Sequence, residues 1–380
     1  MSENYTLVKE KDFIPSLTGI RAIAAYFVFF FHLNSFSTTN HPTLYLILRH
    51  FYPILTLFFV LSGFIICHRY YEIISLKKSY LYKYFINRFS RAFPILFILI
   101  SFQFILISYN HLASNQNIIK EYLLSISLFK GFSSEYRLVG IGPSWSMSVE
   151  ELFYFLSPLL FLYIRNIFSL IKVVLIFYLT GILLTFLFSN FNNAGFFSSY
   201  KFTFFFTFFG RIFDFACGIY LALIVKEKFR NALLNKLGIY NLYIGILIIF
   251  FSCAGQFFLA KSYNTNLGIE LWSGLFLNNI IMPIGVVFLF YGLIYFKSTL
   301  KKILSTKIMV ELGNSTYSFY LLHTSFLLSW IYKFISSNLL ITFICMVIFS
   351  YIFYRTVEQP LAILIRNKFS NKLKPNQLQK

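Results

Sequence analysis

Long apolar runs recur along this chain and leave little room for a soluble fold. A helix of about 20 apolar residues crosses the hydrocarbon core of a bilayer, and ten segments of about that length carry few charges. Only 12% of the residues are charged, whereas a soluble domain carries about 25%. The sequence therefore predicts an all-α, polytopic transmembrane helical bundle. The predicted spans are 17–36, 50–68, 92–109, 145–164, 171–189, 203–225, 238–259, 272–296, 312–332 and 338–357.

The basic residues predict the orientation of this bundle. With a cytoplasmic N-terminus, 25 of the 33 Lys and Arg residues, Lys9 and Lys11 among them, lie on the cytoplasmic side, as the positive-inside rule requires. We therefore predict that both termini are cytoplasmic, with a transmembrane domain over 1–360 and a basic cytoplasmic tail over 361–380. Because these charges alternate with apolar runs, the net charge of +20 reflects topology and indicates no nucleic-acid partner.

Three smaller features complete the outline. The four cysteines lie in apolar runs without metal or disulfide spacing, so we expect small packed side chains and no metal site. The first 20 residues show no cleavable signal, and we expect the first apolar segment to be retained. The apolar stretch Tyr122 to Phe132 is too short to span and predicts a re-entrant or interfacial piece.

Ionisable residues inside the spans point to function, because each is costly in lipid without a partner or a wet cavity. Arg21 and His32 share the first helix, and eleven residues of helix separate them by about 16 Å on nearly the same side. Histidine exchanges protons near neutral pH. For a lone histidine, packing against a neighbouring helix is the better explanation, and only nearby polar groups favour chemistry.

The fourth span carries two adjacent carboxylates. Gly142 and Pro143 break the chain, Trp145 predicts the outer interface, and Glu150 and Glu151 follow about 8 Å deeper. At that depth a carboxylate could orient His32 and stabilise its imidazolium form. A favourable interaction with the helix dipole would explain one of the two acidic residues without any chemistry.

Three arginines are expected at the cytoplasmic level. Arg88 and Arg91 precede the third span and match Arg21 in depth, and guanidinium groups bind phosphate oxygens in a planar fork. Ordinary cytoplasmic anchoring explains Arg88 and Arg91 equally well. Arg211 and Asp214, three residues apart in one helix, predict a structural ion pair. His323, near mid-bilayer, fits a packing or cavity-lining role as well as catalysis.

Seven stretches together resemble the acyltransferase 3 family of bacterial membrane O-acyltransferases, in order and over almost the whole chain. They are SLTGIRAIAAYFVFFFHL, FFVLSGFIICHRYY, INRFSRAFPILF, PSWSMSVEELFYFLSP, GRIFDFACGIYLAL, LGNSTYSFYLLH and VEQP. Leu152 departs from the pattern, since glutamine is common there in the family.

The resemblance implies site roles. It makes His32 the expected catalytic residue, supported by Glu150 or Glu151, and it associates Arg21, Arg88 and Arg91 with an acyl-CoA donor, typically acetyl-CoA, as co-substrate. No bound cofactor is implied. The acceptor would be a cell-surface or lipid-linked glycan, and the location the bacterial inner membrane. Further pocket candidates are Ser62, Trp145, Ser148, Arg211, Asp214 and His323.

Two alternatives stay open. The acceptor could be a small molecule or a lipid, because the family motifs do not carry the acceptor pocket. A non-enzymatic transporter would also place polar groups inside helices, but we find no inverted repeats with broken helices in both halves. The sequence also leaves open whether His32 acts as a general base or is itself acylated.

Overall fold

The structure is a computed structural model that describes residues 13–33, 42–74, 77–109, 115–191 and 194–370. The predictions for Lys9, Lys11 and residues 371–380 lie outside these residues. Within them the chain is helical, and the strand-like pairing in the described part is one isolated bridge between Ser133 and Phe196. The all-α prediction is confirmed.

Nineteen α-helices fall within the described residues. They are α1 Pro15–His32, α2 Pro42–Arg49, α3 Leu55–Tyr70, α4 Lys78–Tyr109, α5 Asn115–Ile126, α6 Trp145–Tyr163, α7 Ile167–Phe188, α8 Tyr200–Phe206, α9 Phe208–Val225, α10 Ala232–Leu237, α11 Tyr240–Ser262, α12 Trp272–Phe276, α13 Met282–Tyr295, α14 Thr299–Leu304, α15 Lys307–Asn314, α16 Thr316–Leu322, α17 Phe326–Phe334, α18 Leu339–Phe353 and α19 Gln359–Ser370. A π-helical segment, Leu277–Ile281, joins α12 to α13, and a second, Tyr354–Glu358, joins α18 to α19.

Seven helical stretches in the described part are long and apolar enough to cross a membrane. They are Ile47–Tyr70, Lys78–Tyr109, Ile167–Phe188, Tyr200–Val225, Tyr240–Ser262, Trp272–Tyr295 and Leu339–Phe369. These correspond to seven of the ten predicted spans. The predicted first and fourth spans are the single helices α1 and α6, of 18 and 19 residues.

The predicted ninth span, 312–332, is divided among α15, α16 and α17. Polar residues at the breaks explain the division, because serine favours helix ends over helix interiors. Ser315 precedes α16, and the Ser325 hydroxyl accepts a hydrogen bond from the Leu327 amide at the start of α17.

The chain forms two compact units. Unit 1 comprises Met1–Ile73, Leu159–Gly181 and Phe209–Asn314, and unit 2 comprises Ile74–Pro158, Ile182–Phe208 and Ser315–Lys380. Each contains its own packed helices and is described separately below.

Unit 1 is built on helices that approach each other at glycine. On α3, Gly63 lies against the Phe215 carbonyl, and Gly218 on α9 lies against the Val60 carbonyl. A Cβ at either glycine would overlap those oxygens, so α3 and α9 cross in backbone contact. Helix α1 packs against α3, α14 and α15, and α11 packs against α13.

Unit 2 is organised around α4. Its apolar face, which includes Ile95, Leu99 and Ile100, forms a buried cluster with residues of α16 and the segment before α6. Helix α19 also packs on α4. The stretch predicted to be re-entrant or interfacial begins within α5, whose Tyr122 packs against the same cluster.

Candidate active site

Arg21 and His32 lie on one side of α1 in unit 1. Pro15 begins this helix, as its fixed φ favours, and the helix runs unbroken to His32. The two residues are therefore about 16 Å apart along the axis, as predicted. Arg21 is partly buried, whereas His32 is exposed and its ring centroid lies 4.9 Å from that of Phe31.

Glu150 and Glu151 lie in unit 2 on the second turn of α6. A 3-10 turn over Gly142–Ser144 leads into this helix, as the Gly-Pro break predicted. Both glutamates are partly buried. The Tyr154 hydroxyl donates a hydrogen bond of 3.2 Å to Oε2 of Glu150, and the charges of Glu150 and Arg88 both act on the Glu151 carboxyl group.

Arg88 lies against α6, the helix that carries both glutamates. Its guanidinium stands over the Tyr154 ring, 5.9 Å from the centroid, and the side chain is only 7% exposed. Tyr84, one turn earlier on α4, donates a 2.8 Å hydrogen bond to the Tyr154 carbonyl. Arg91 is partly buried.

The start of α6 is buried in unit 2. Trp145 is 7% exposed and packs on Phe205 and Phe206, with ring centroids 5.9 and 4.7 Å away. Pro143 and Ser144 before it are also buried. Helix α6 therefore begins inside the protein, and its two glutamates follow on the second turn.

The short helix α16 connects the charged elements of unit 2. The Tyr317 hydroxyl donates to the Ala92 carbonyl on α4, and the Ser318 hydroxyl donates to Oε2 of Glu358. The Tyr320 hydroxyl donates to the Pro143 carbonyl at 2.9 Å. One helix therefore contacts α4, the π-helical segment before α19 and the entry to α6.

His323 follows α16 directly and is buried in unit 2. Its ring stacks on Phe319 with centroids 6.0 Å apart, and Nδ1 lies 3.3 Å from the Phe319 carbonyl oxygen. Tyr320 lies 5.7 Å away, centroid to centroid. His323 therefore contacts α16, the helix that connects α4 with the entry to α6.

The predicted ion pair between Arg211 and Asp214 is confirmed in unit 1. Nη2 of Arg211 lies 2.6 Å from Oδ2 of Asp214, and both side chains are buried. The same guanidinium donates to Asn279 at 2.7 Å and to Thr56 at 2.6 Å. The pair therefore ties α9 to α3 and to the first π-helical segment, which makes it a structural junction.

The remaining pocket candidates belong to different units. Ser62 is partly buried on α3 of unit 1, whereas Ser148 belongs to unit 2 and is buried where Gly131 packs on it. The four cysteines are free and at least partly buried. In the described part of the chain, no group of three or more His, Cys, Asp or Glu residues could hold a metal ion.

The sequence predictions assign no role to two buried charged residues. Glu358 is 6% exposed, and its place in the VEQP stretch and near the end of a span is its only signal in the sequence. Lys130 lies in the stretch predicted to be re-entrant or interfacial; it is fully buried, and its ammonium donates to the Val139 and Ile141 carbonyls at 2.7 and 2.9 Å. No local pattern distinguishes Lys130 from a solvated lysine.

Comparison with known proteins identifies a protein family. The model of an acyltransferase domain, the acyltransferase 3 domain, matches residues 14–355. Neither a curated protein nor a solved structure shows significant similarity to the chain. The matched region includes every candidate residue from Arg21 to His323.

Proposed function

Since this chain belongs to the acyltransferase 3 family and is a multi-pass membrane acyltransferase, we propose that it transfers an acyl group, specifically acetyl, from cytoplasmic acyl-CoA to a hydroxyl of a glycan. The acceptor is a cell-surface or lipid-linked sugar, and the enzyme resides in the bacterial inner membrane. The observation that carries this proposal is the domain match over 14–355, which contains both His32 and the glutamate pair.

The donor would bind through guanidinium groups. Arg21 and Arg91 are each partly buried and can offer planar forks to the phosphate oxygens of acyl-CoA. Arg88 has a different setting, because its guanidinium stacks on Tyr154 and acts on Glu151. Arg88 therefore contributes to donor binding mainly through its charge, and Arg21 and Arg91 supply the direct phosphate contacts.

The chemistry would centre on His32. As general base, its imidazole takes the proton from the acceptor hydroxyl while that oxygen attacks the thioester carbonyl carbon. The new C–O bond forms, the C–S bond breaks, and the proton passes to the departing thiolate to give free CoA. A glutamate would stabilise the transient imidazolium. If His32 first carries the acyl group, the same C–S bond breaks, the same C–O bond forms in the second step, and the proton again ends on the thiol of CoA.

The test compares two substitutions at one position. A general base contributes about 10² to 10⁴ in rate, so His32→Gln, which keeps volume and a hydrogen bond, should lower acetyl transfer by at least that order, as should His32→Ala. The assay is mass spectrometry of the surface polysaccharide from cells with and without the gene, plus labelled acetyl transfer from acetyl-CoA in isolated membranes.

Two results would redirect the proposal. Substantial glycan acetylation by His32→Gln at normal expression would falsify the mechanism and favour a transporter. Acetyl transfer to a small molecule or lipid, with an unchanged glycan, would retain the enzyme and replace its acceptor.

A further inference from the structure

The guanidinium of Arg137, in the segment between α5 and α6 of unit 2, is held by aromatic rings. Its central carbon lies 4.7 Å from the ring centroid of Phe206 and 5.9 Å from that of Phe202. Nη1 donates to the Ser134 carbonyl. Among the residues that the structure describes, no carboxylate forms an ion pair with Arg137. The described part of the chain therefore fixes this positive charge without neutralising it.

The backbone that carries Arg137 is also fixed, by hydrogen bonds to the segment before α8. The Ser134 amide donates to the Gly195 carbonyl at 2.9 Å, and the Phe197 amide donates to the Phe132 carbonyl at 3.0 Å. Because the Arg137 side chain rests on two rings and its backbone is tied down, few rotamers are lost when a ligand binds. Such preorganisation raises affinity by lowering the entropic cost of association.

The same rings connect Arg137 to the entry of α6. The ring centroid of Phe206 lies 4.7 Å from that of Trp145, the first residue of α6. Glu150 follows five residues later, about 7.5 Å along the helix axis. An anion bound at Arg137 would therefore lie near the N-terminal end of the helix that carries both glutamates.

The place of Arg137 along the membrane-spanning helices limits what this anion can be. Phe202 and Phe206 belong to the first turns of the candidate span Tyr200–Val225, so the guanidinium lies at one end of a membrane-spanning stretch. In the predicted orientation, the segment between the third and fourth spans faces the outside. Lipid phosphates occupy the level at which spans end, and a guanidinium binds phosphate oxygens through directed, charge-assisted hydrogen bonds.

Packing alone is the competing explanation, because a cation over an aromatic face stabilises a fold without any ligand. Arg137 nevertheless remains partly exposed. Lys120 of α5 provides a comparison, since its ammonium lies 4.8 Å from the ring centroid of Tyr136, the residue before Arg137, and its side chain is exposed. Lysine offers a similar charge on an aromatic ring but no planar fork. Lys120 is therefore a matched control for Arg137.

We propose that Arg137 binds the phosphate group that joins the acceptor glycan to its lipid, and that it thereby selects a lipid-linked acceptor. This inference rests on the proposed acyl transfer and chooses the lipid-linked sugar over the free surface glycan. The N–H groups of the guanidinium donate to the phosphate oxygens, while the covalent step stays the transfer described above.

The first test measures binding without turnover. The full chain is held in phosphatidylcholine nanodiscs with saturating coenzyme A, which occupies the donor site, and radiolabelled farnesyl diphosphate is the probe. Arg137→Gln should weaken probe binding by about tenfold or more, because charge-assisted hydrogen bonds are lost, whereas Lys120→Gln should bind like the wild type. If Arg137→Gln does not insert, Arg137→Lys, which loses the fork, should still bind more weakly than the wild type.

Four results of this test overturn the inference. They are a wild type that does not bind the probe, an Arg137 variant that folds and binds it as tightly as the wild type, an equal loss in Lys120→Gln, and displacement of the probe by phosphatidylglycerol added to the nanodisc. The second result would leave Arg137 a packing residue. The last would identify a phospholipid headgroup as the ligand.

The second test measures transfer from labelled acetyl-CoA to the host's lipid-linked glycan and to the same glycan released from its phosphate by mild acid. The wild type should show a lower KM for the lipid-linked glycan, and Arg137→Gln should raise that KM by about tenfold with little change in kcat. Equal KM values in the wild type, or a preference that Arg137→Gln retains, overturn the inference. A wild type that transfers no acetyl to either acceptor, while probe binding still depends on Arg137, would remove the proposed function and support the phosphate site.

Discussion

The effect of a buried charge on the free energy of unfolding can be measured directly at Lys130. Its ammonium donates only to backbone carbonyls, and burial lowers the pKa of Lys130 from 10.5 to about 7. Between those two pH values the unfolded chain binds the proton and the folded chain does not. The free energy of unfolding should therefore rise with pH by about 1.4 kcal/mol per unit, and this contribution is lost as pH falls towards 7.

Lys130→Met removes this dependence while nearly preserving volume. Between pH 7 and 9 the wild type should gain about 2–3 kcal/mol over the variant, which corresponds to roughly 5–10 °C in Tm. In Lys130→Met the Val139 and Ile141 carbonyls lose their donor, and this lowers the free energy of unfolding equally at every pH. The change of the Tm difference with pH therefore reports only the titration of Lys130. The assay is thermal unfolding in detergent at pH 7, 8 and 9, with Lys201→Met, an exposed lysine of unit 2, as the control. A Tm difference between Lys130→Met and wild type that does not change with pH would refute the reasoning.

Three further outcomes are expected. Reporter fusions at both termini and in the loop before α4 should give cytoplasmic readings, because the predicted orientation places 25 of the 33 basic residues on that side; a periplasmic C-terminus contradicts the ten-span arrangement. Arg91→Lys keeps the charge but loses the planar fork, so it should weaken acetyl-CoA binding by about tenfold at normal expression, whereas Arg88→Lys, which keeps the charge through which Arg88 acts, should weaken binding less; unchanged affinity in both, measured by calorimetry, reduces them to topological anchors. Gly63→Ala forces a methyl group against the Phe215 carbonyl and should cost about 1–3 kcal/mol, measured as a lowered Tm, whereas Gly142→Ala, whose added methyl group meets only Leu138 at 4.0 Å, should have little effect.

Most of the helical architecture was predictable because lipid imposes it. A bilayer demands internally bonded helices of about 20 apolar residues, so hydropathy located seven candidate spans that the structure confirms. The Arg211–Asp214 pair was equally predictable, since residues three apart share a helix face. The division of 312–332 into three short helices was not predictable, because the high mean hydropathy of this stretch outweighs the few serines at which the short helices begin.

The site was predictable in its residues and less so in its contacts. Arg21 and His32 needed only the geometry of one helix. Hydropathy gave no sign that Trp145 is buried or that Arg88 packs on the Tyr154 ring. Contacts of Glu358 through α16 depend on tertiary packing, which no spacing along the sequence reveals.

At the two π-helical segments the chain should tolerate the deletion of one residue, which a regular α-helix would not. A π turn holds one residue more than the α-helical turn it replaces, so deleting one residue within Leu277–Ile281 or Tyr354–Glu358 should restore a regular helix with its flanks facing as before. The same deletion inside α11 would rotate everything after it by about 100°. Single-residue length differences among natural versions of this protein should therefore concentrate at these two turns, where loss of the extra residue withdraws Asn279 or Glu358 from its partners and leaves the span intact.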